Sequence, residues 1–234
     1  VKAQLEVEEC DDSYLQGLIY SELGNAYFEQ YTYVDASVMY KLALEKFQQC
    51  NLYENIFIAQ YCCGLSLFFE GNYSESYTYL SSTLEYAKKS NNIDAILNIE
   101  MVLIHIKIKK SASIEEIEYL KQKLLSIYDF YTDGKIPVTH YPILGNIYAK
   151  TRDLDSARYF ILEFLKQDHE IEFHNIGIWA LLSSIESKYN NYQLAYNYEK
   201  NYSYYNDSIN RCIRDYEVRA LDRRYKNIEL KDSY

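Results

Sequence analysis

Four histidines (His105, His140, His169 and His174) and five cysteines (Cys10, Cys50, Cys62, Cys63 and Cys212) are the residues best suited to nucleophilic or metal chemistry. Their spacing supports neither. His169 and His174 stand five apart, not the four that stacks two imidazoles on one helix face, and no cysteine or zincin-type glutamate accompanies them. Loop and surface positions are the ordinary expectation for such histidines. The odd cysteine count, without metal-like pairs, gives no disulfide framework and fixes no redox compartment. Cys62 and Cys63 are neighbours, where a disulfide is badly strained, and on a helix they diverge by about 100°. They read as small apolar core residues. No Gly-rich phosphate loop and no Gly-x-Ser-x-Gly elbow occur, and the carboxylates are spread over solvated faces. The expectation is a chain that is not an enzyme and carries no cofactor and no metal.

The elements that must position any binding residues are helices. Only 2 Pro and 7 Gly occur in 234 residues, so little interrupts a helix, while 48% apolar and 16% aromatic residues argue against disorder. The 28 tyrosines suit half-buried positions, with an apolar body and a polar tip. A net charge of −10 argues against nucleic acid or an anionic membrane surface as the main partner. The most apolar stretch, Ile93 to Ile108, is broken by Asp94, Glu100, His105 and Lys107, so membrane contact by this segment is not expected. Val1 in place of Met, with helix-like residues from Lys2 to Glu9, reads as the start of an excised fragment.

Internal repetition organises the whole chain. Leu23-Gly24-Asn25-Ala26-Tyr27 returns as Leu144-Gly145-Asn146-Ile147-Tyr148, and each glycine is followed twelve residues later by an alanine, Ala36 and Ala157. A second unit centres on Gly64, with the turn Glu70-Gly71-Asn72-Tyr73, Ser76 in the small slot and Leu80 beyond it. A fifth has Trp179, Leu182, Ser183 and Ala195, and its turn Asn190-Asn191-Tyr192 echoes Asn72-Tyr73. A third is implied by spacing near Ile104, where Ile93, Ile96, Leu97, Met101 and Ile104, then Ile114, Ile117, Leu120, Leu124 and Ile127, keep helical period. Pro137 and Pro142, behind Asp133-Gly134, mark the longest loop; a first helical turn accommodates such a proline.

The unit Tyr20, Leu23, Gly24, Tyr27, Ala36, Tyr40 and Ala43 resembles the tetratricopeptide repeat (TPR), although Asn51 follows where a proline often closes that repeat. The resemblance implies an all-α, right-handed α-solenoid of about five TPR-like hairpins with a C-terminal capping helix. One domain, 1–234, would hold repeats near 17–50, 54–90, 93–130, 138–170 and 176–205. A last helix over 206–231 would be capped by Asn206-Asp207-Ser208, and the segment before Gly17 would be the second helix of a truncated unit. In this family the first helices line a concave groove that takes a protein or peptide ligand. Carried onto this chain, the groove positions are Asn25, Leu65, His105, Asn146 and Ser184, and one turn on Glu29, Phe69, Lys109, Lys150 and Lys188, with Tyr61 added. Lys109, Lys150 and Lys188 would form a basic strip that attracts a carboxylate. Phe68 and Phe69 mark either a partner surface or internal packing.

The stretch from Asn206-Asp207-Ser208-Ile209 through Tyr216-Glu217-Val218-Arg219-Ala220-Leu221 to Arg224-Tyr225-Lys226-Asn227 is similar to a family of Bacteroidetes-type membrane-anchored transcriptional regulators. That resemblance implies the ligand-sensing portion of a bacterial signalling protein. It would lie in the periplasm or otherwise outside the cytoplasm, with a C-terminal membrane anchor following. The alternatives are a static assembly scaffold and a cytoplasmic peptide receptor.

Overall fold

The computed structural model describes residues 12–110, 113–166 and 176–232. Among these residues the chain is helical, with ten α-helices, one 3-10 turn and no strand. α1 (Ser13–Glu29) and α2 (Tyr33–Gln49) make the first hairpin, α3 (Tyr53–Glu70) and α4 (Tyr73–Lys89) the second. α5 (Ile93–Lys110) and α6 (Ile114–Thr132) make the third, and α7 (Tyr141–Lys150) and α8 (Leu154–Lys166) the fourth. α9 (Gly177–Lys188) pairs with α10 (Tyr192–Asp232). Each helix from α2 to α8 packs on the next, the arrangement of an all-α helical-repeat solenoid. Two compact units are formed: Val1–Phe28 with Tyr33–Glu170, and Glu29–Thr32 with Ile171–Tyr234.

Within the hairpins, small residues do what their spacing predicts. A Cβ on Gly24 would stand 2.7 Å from the Tyr40 ring, one on Gly64 2.7 Å from Leu80, and one on Gly145 2.5 Å from Ile161. Each of these three glycines thus meets a large side chain sixteen residues later, on the second helix. The residues twelve on (Ala36, Ser76 and Ala157) are wholly buried, and the Ser76 hydroxyl donates to the Gly64 carbonyl at 2.7 Å. Burial of that hydroxyl is therefore satisfied within the hairpin.

Six of the described links are short because one residue in each turns left-handed. Tyr31, Asn51, Asn91, Arg152 and Asn190 have φ between 52° and 65°, and Gly71 has φ 91°. After the turn the backbone amide reaches back to the helix end, as Asn72 N–H does to Leu67 O (2.9 Å) and Asp153 N–H to Tyr148 O (3.0 Å). The next helix is then capped: Asn92 Oδ1 accepts from Ala95 N–H at 3.0 Å and Asp153 Oδ1 from Ser156 N–H at 3.1 Å. Asn51 replaces the usual proline for a physical reason. A proline cannot adopt the φ of 56° that this link requires.

The implied third hairpin is present, and its first helix holds the centre of the first unit. Leu97, Met101, Ile104 and Ile108 of α5 pack with Ile117, Leu120, Leu124, Leu144 and Ile147. Ile96, Ile99, Leu103 and Ile106 pack with Leu80, Leu84 and Ala87 of α4. A helix buried on both flanks reads as nearly continuous apolar sequence, which explains the loss of consensus residues there. Pro142 lies in the first turn of α7 as its position allows, preceded by the 3-10 turn Val138–His140.

Two boundaries differ from the sequence reading. The expected separate helix at 206–231 does not exist: α10 is one helix of 41 residues from Tyr192 to Asp232. Asn206, Asp207 and Ser208 lie inside it, Asp207 and Ser208 exposed, where their polar side chains meet water and no glycine or proline breaks the helix. The residues just before Gly17 are not the end of a preceding unit, because α1 begins at Ser13. Lys2 to Glu9, and the stretch holding His169 and His174, lie outside the described residues.

Gly145→Ala is expected to lower stability by about 1–3 kcal/mol in denaturant unfolding, since its Cβ would overlap Ile161 and approach the Ala157 carbonyl at 3.2 Å. Gly177→Ala, with nothing within 4 Å, is the matched control and should stay within about 0.5 kcal/mol of the parent or gain slightly.

Candidate functional site

α1, α3, α5 and α7, the first helices of the four hairpins in the first unit, touch one another through side chains near their C-terminal ends. Phe28 of α1 meets Phe69 of α3 edge-on at 5.7 Å between ring centroids, and Phe69 stacks on Tyr33 at 5.2 Å. Phe68, the neighbour of Phe69, stands 5.3 Å from the His105 ring of α5. α5 in turn packs directly on α7. A run of rings thus joins α1, α3 and α5, and apolar side chains join α5 to α7. Phe68 and Phe69 are half-buried in it, so internal packing is part of their role.

His105 is the unusual member. As a whole it is half-buried, yet both ring nitrogens are closed from solvent and neither has a hydrogen-bond partner. Burial lowers its pKa to about 4, and the charges of Lys109 and Lys150 push in the same direction. The ring is therefore neutral at pH 7. Lys109, one helical turn further along α5, and Lys150, on α7, are both exposed. Each lies in the last turn of its helix, where a cation also complements the carbonyl ends.

The other proposed groove residues fall into distinct settings. Asn25 is half-buried and its Oδ1 accepts from the Tyr40 hydroxyl at 2.7 Å, which ties α1 to α2. Tyr61 is half-buried, its phenol pushed up to about 12 chiefly by burial, and it packs with Leu65 on the α4–α5 core. Asn146 is half-buried on α7, and Glu29 is exposed at the end of α1. Lys188 is exposed at the end of α9, with Ser184 one turn before it, and both belong to the second unit. The structure thus brings His105, Lys109 and Lys150 together with the aromatic run.

Two buried polar sites carry no signal in the sequence. His140 was expected at a surface or in a loop, and that expectation fails: it is buried at 5% exposure. Its Nε2–H donates to Asn98 Oδ1 at 2.7 Å, and the Tyr128 hydroxyl donates to Nδ1 at 2.8 Å. Burial holds its pKa at about 4 and raises that of Tyr128. Lys121, 7% exposed, pairs with Glu118 at 2.7 Å and lies over the Tyr148 ring at 4.8 Å, pinning α6 to α7. Glu118 is a neighbour on the same helix, but Asn98 stands 42 residues from His140 and Tyr128 twelve, and only folding brings Lys121 to Tyr148. A cavity of about 420 Å³ beside α6 is lined by Gln122, Ser126, Tyr128, Asp129 and Ile136.

The cysteines behave as core and surface residues. Cys63 is wholly buried with its thiol pushed up to about 12 by burial, and Cys62 to about 11 for the same reason. Neither is a thiolate at neutral pH, so neither is a ready nucleophile. Among the described residues no group of three His, Cys, Asp or Glu side chains is placed to hold a metal. None of the described helices is long and apolar enough to cross a membrane.

The described residues have the fold of an all-α helical-repeat solenoid, and solved structures share it. The apo form of RapI matches with a TM-score of 0.61 at 13% identity, covering 89% of each chain. BtubC (BKLC) from P. vanneervenii matches with a TM-score of 0.57 at 16% identity, covering 89% of this chain and 90% of that one. At such identities the likeness is one of fold. No family model matches the sequence, and no curated protein matches it.

His140 supplies a prediction with a definite sign. Its folded pKa of about 4 lies below the unfolded value of 6.5, so the stability it contributes is complete above pH 6.5. That contribution is lost as pH falls toward 4, because the unfolded chain gains the proton first, with a slope of at most about 1.4 kcal/mol per pH unit. His140→Gln should flatten the pH dependence of urea unfolding across that window while lowering stability at neutral pH. An unchanged slope would show that His140 titrates normally in the folded chain.

Proposed function

We propose that this chain is a non-enzymatic binding module whose first unit receives a protein or peptide segment where α1, α3, α5 and α7 meet. In this reading it is the ligand-sensing portion of a bacterial signalling or transcription-regulatory protein and works outside the cytoplasm. The observation that carries the binding role is the pairing of a continuous aromatic run with two exposed lysines, Lys109 and Lys150, in a chain of net charge −10. Aromatic side chains offer contact area at low entropic cost, and local cations select an acidic partner against the chain's overall repulsion. The chemistry-bearing residues also favour binding over catalysis: His140 is held neutral between Tyr128 and Asn98, and the two adjacent thiols are held protonated.

The second unit supports relay of a bound state. α9 has 12 residues and α10 has 41, so α10 runs about 60 Å against about 18 Å for its partner. A helix that continues far beyond its hairpin partner is a rigid element through which a change at its base reaches a distant point. Such a relay requires the ligand to favour one conformation over another.

A peptide array probed with the chain tests the binding role. Bound sequences should combine a carboxylate with an aromatic or large apolar residue. Lys109→Gln and Lys150→Gln should each weaken the selected peptides about three- to tenfold, with loss of salt dependence. Affinities unchanged in both variants would remove this face as the binding site.

A further inference from the structure

We propose that His105 contacts ligand directly: with Lys109 and Lys150 it forms a subsite for a carboxylate, and its imidazole takes up a proton from solvent as the carboxylate binds. The inference rests on the binding role proposed above and narrows it to one ligand chemistry.

A neutral imidazole offers one N–H and one lone pair, and a buried chain normally satisfies both. His140 does so in the same unit, with Tyr128 and Asn98 on its two nitrogens. His105 satisfies neither. Its neighbours Ile104, Ile106 and Ile108 show that α5 readily accepts isoleucine, and each of them is buried in an apolar core. Leaving two polar groups unmet at position 105 weakens the free protein, and a ligand that supplies their partner recovers the loss.

The surroundings select the ligand. The charges acting on the ring are cationic, Lys109 from its own helix and Lys150 from α7, while α3 faces it with Phe68 at 5.3 Å. Both lysines are exposed, and His105 as a residue is half-buried, so the subsite lies near the surface. Two cations beside a silent imidazole favour an anion. The adjoining Phe68 and Phe69 favour one whose charge sits beside an apolar group, as in a carboxylate next to a hydrophobic side chain.

Proton uptake follows from the same contacts. A carboxylate only accepts hydrogen bonds, and a neutral ring donates from one nitrogen alone. A carboxylate bonded to the ring favours the imidazolium against burial, the chief cause of its low pKa, and also offsets the charges of Lys109 and Lys150, so the ring gives a charge-assisted bond. The proton comes from water, and no covalent bond is made or broken.

The test is nuclear magnetic resonance of the ¹⁵N-histidine-labelled chain, with His105→Leu used to assign the ring. N-acetyl-phenylalanine presents a terminal carboxylate beside an aromatic group, N-acetyl-glutamate α-amide a side-chain carboxylate, and N-acetyl-phenylalaninamide none. One or both carboxylates should move the His105 nitrogens toward the imidazolium position at about pH 6, near the ordinary histidine pKa. Which of them does so identifies the source. The amide should have no effect, and the His140 signals should stay in place. Peptides selected on the array should bind His105→Leu roughly tenfold more weakly and without pH dependence. If the His105 ring ignores both carboxylates at saturation of an array-selected peptide, and His105→Leu binds that peptide normally, the subsite is wrong while the binding role stands. If no peptide binds at all but a carboxylate still protonates the ring, the subsite holds and the larger ligand is not a peptide.

Discussion

The close approach of each first helix to the second helix of its own hairpin is the contact on which the rest of the structure depends. Gly24, Gly64 and Gly145 leave space that Tyr40, Leu80 and Ile161 fill, at separations no Cβ would tolerate. That approach sets the distance between helix axes, and the axes set where the next hairpin seats. Where a link holds a left-handed residue, as at Asn51, Gly71 and Arg152, that residue then fixes the direction of return. Because the hairpins of the first unit bury apolar sides on their neighbours, stability in such arrays is nearly a sum of local interfaces. The third hairpin is held differently. Ile104 occupies its small-residue slot, and α5 compensates by burying apolar side chains on two flanks.

Among the described residues, several buried polar groups are answered within the fold, whereas the His105 ring nitrogens are not. Lys121 is paired with Glu118 and covered by Tyr148, and His140 is bonded at both nitrogens. Ser76 bonds across its hairpin and Asn25 receives the Tyr40 hydroxyl. Each joins two elements, so these polar groups reinforce the arrangement that the apolar contacts establish. His105 breaks the pattern while standing where α3, α5 and α7 converge. In the proposed reading, a polar group left unanswered here is where local rules give way to the requirements of binding.

The matches to RapI and BtubC at 13% and 16% identity show how little sequence the fold requires. Small residues at the close approach, an apolar stripe of helical period and a turn residue able to go left-handed are sufficient. The residues facing outward along the first helices are free of those demands. Lys109, Lys150 and the aromatic run therefore carry what is particular to this chain.

The sequence by itself determined the helical class, the hairpin register and most helix boundaries, because each depends on residues within about forty positions of one another. The Leu-Gly-Asn repetition and the alanines twelve residues on located the close approaches, and spacing alone located the third hairpin. It went wrong where local signals were read as decisive. Asn206-Asp207-Ser208 resembles a cap, yet exposed polar residues sit as easily inside α10. His140, beside two prolines, resembles a loop residue, yet Tyr128 and Asn98 draw it into the interior. Groove positions counted along the repeat named His105, Lys109 and Lys150. Only the tertiary structure showed that they share one electrostatic neighbourhood and that the imidazole has no partner. The reason is physical: period and turn chemistry are local, whereas burial and hydrogen-bond satisfaction are decided by residues that meet only when the helices pack.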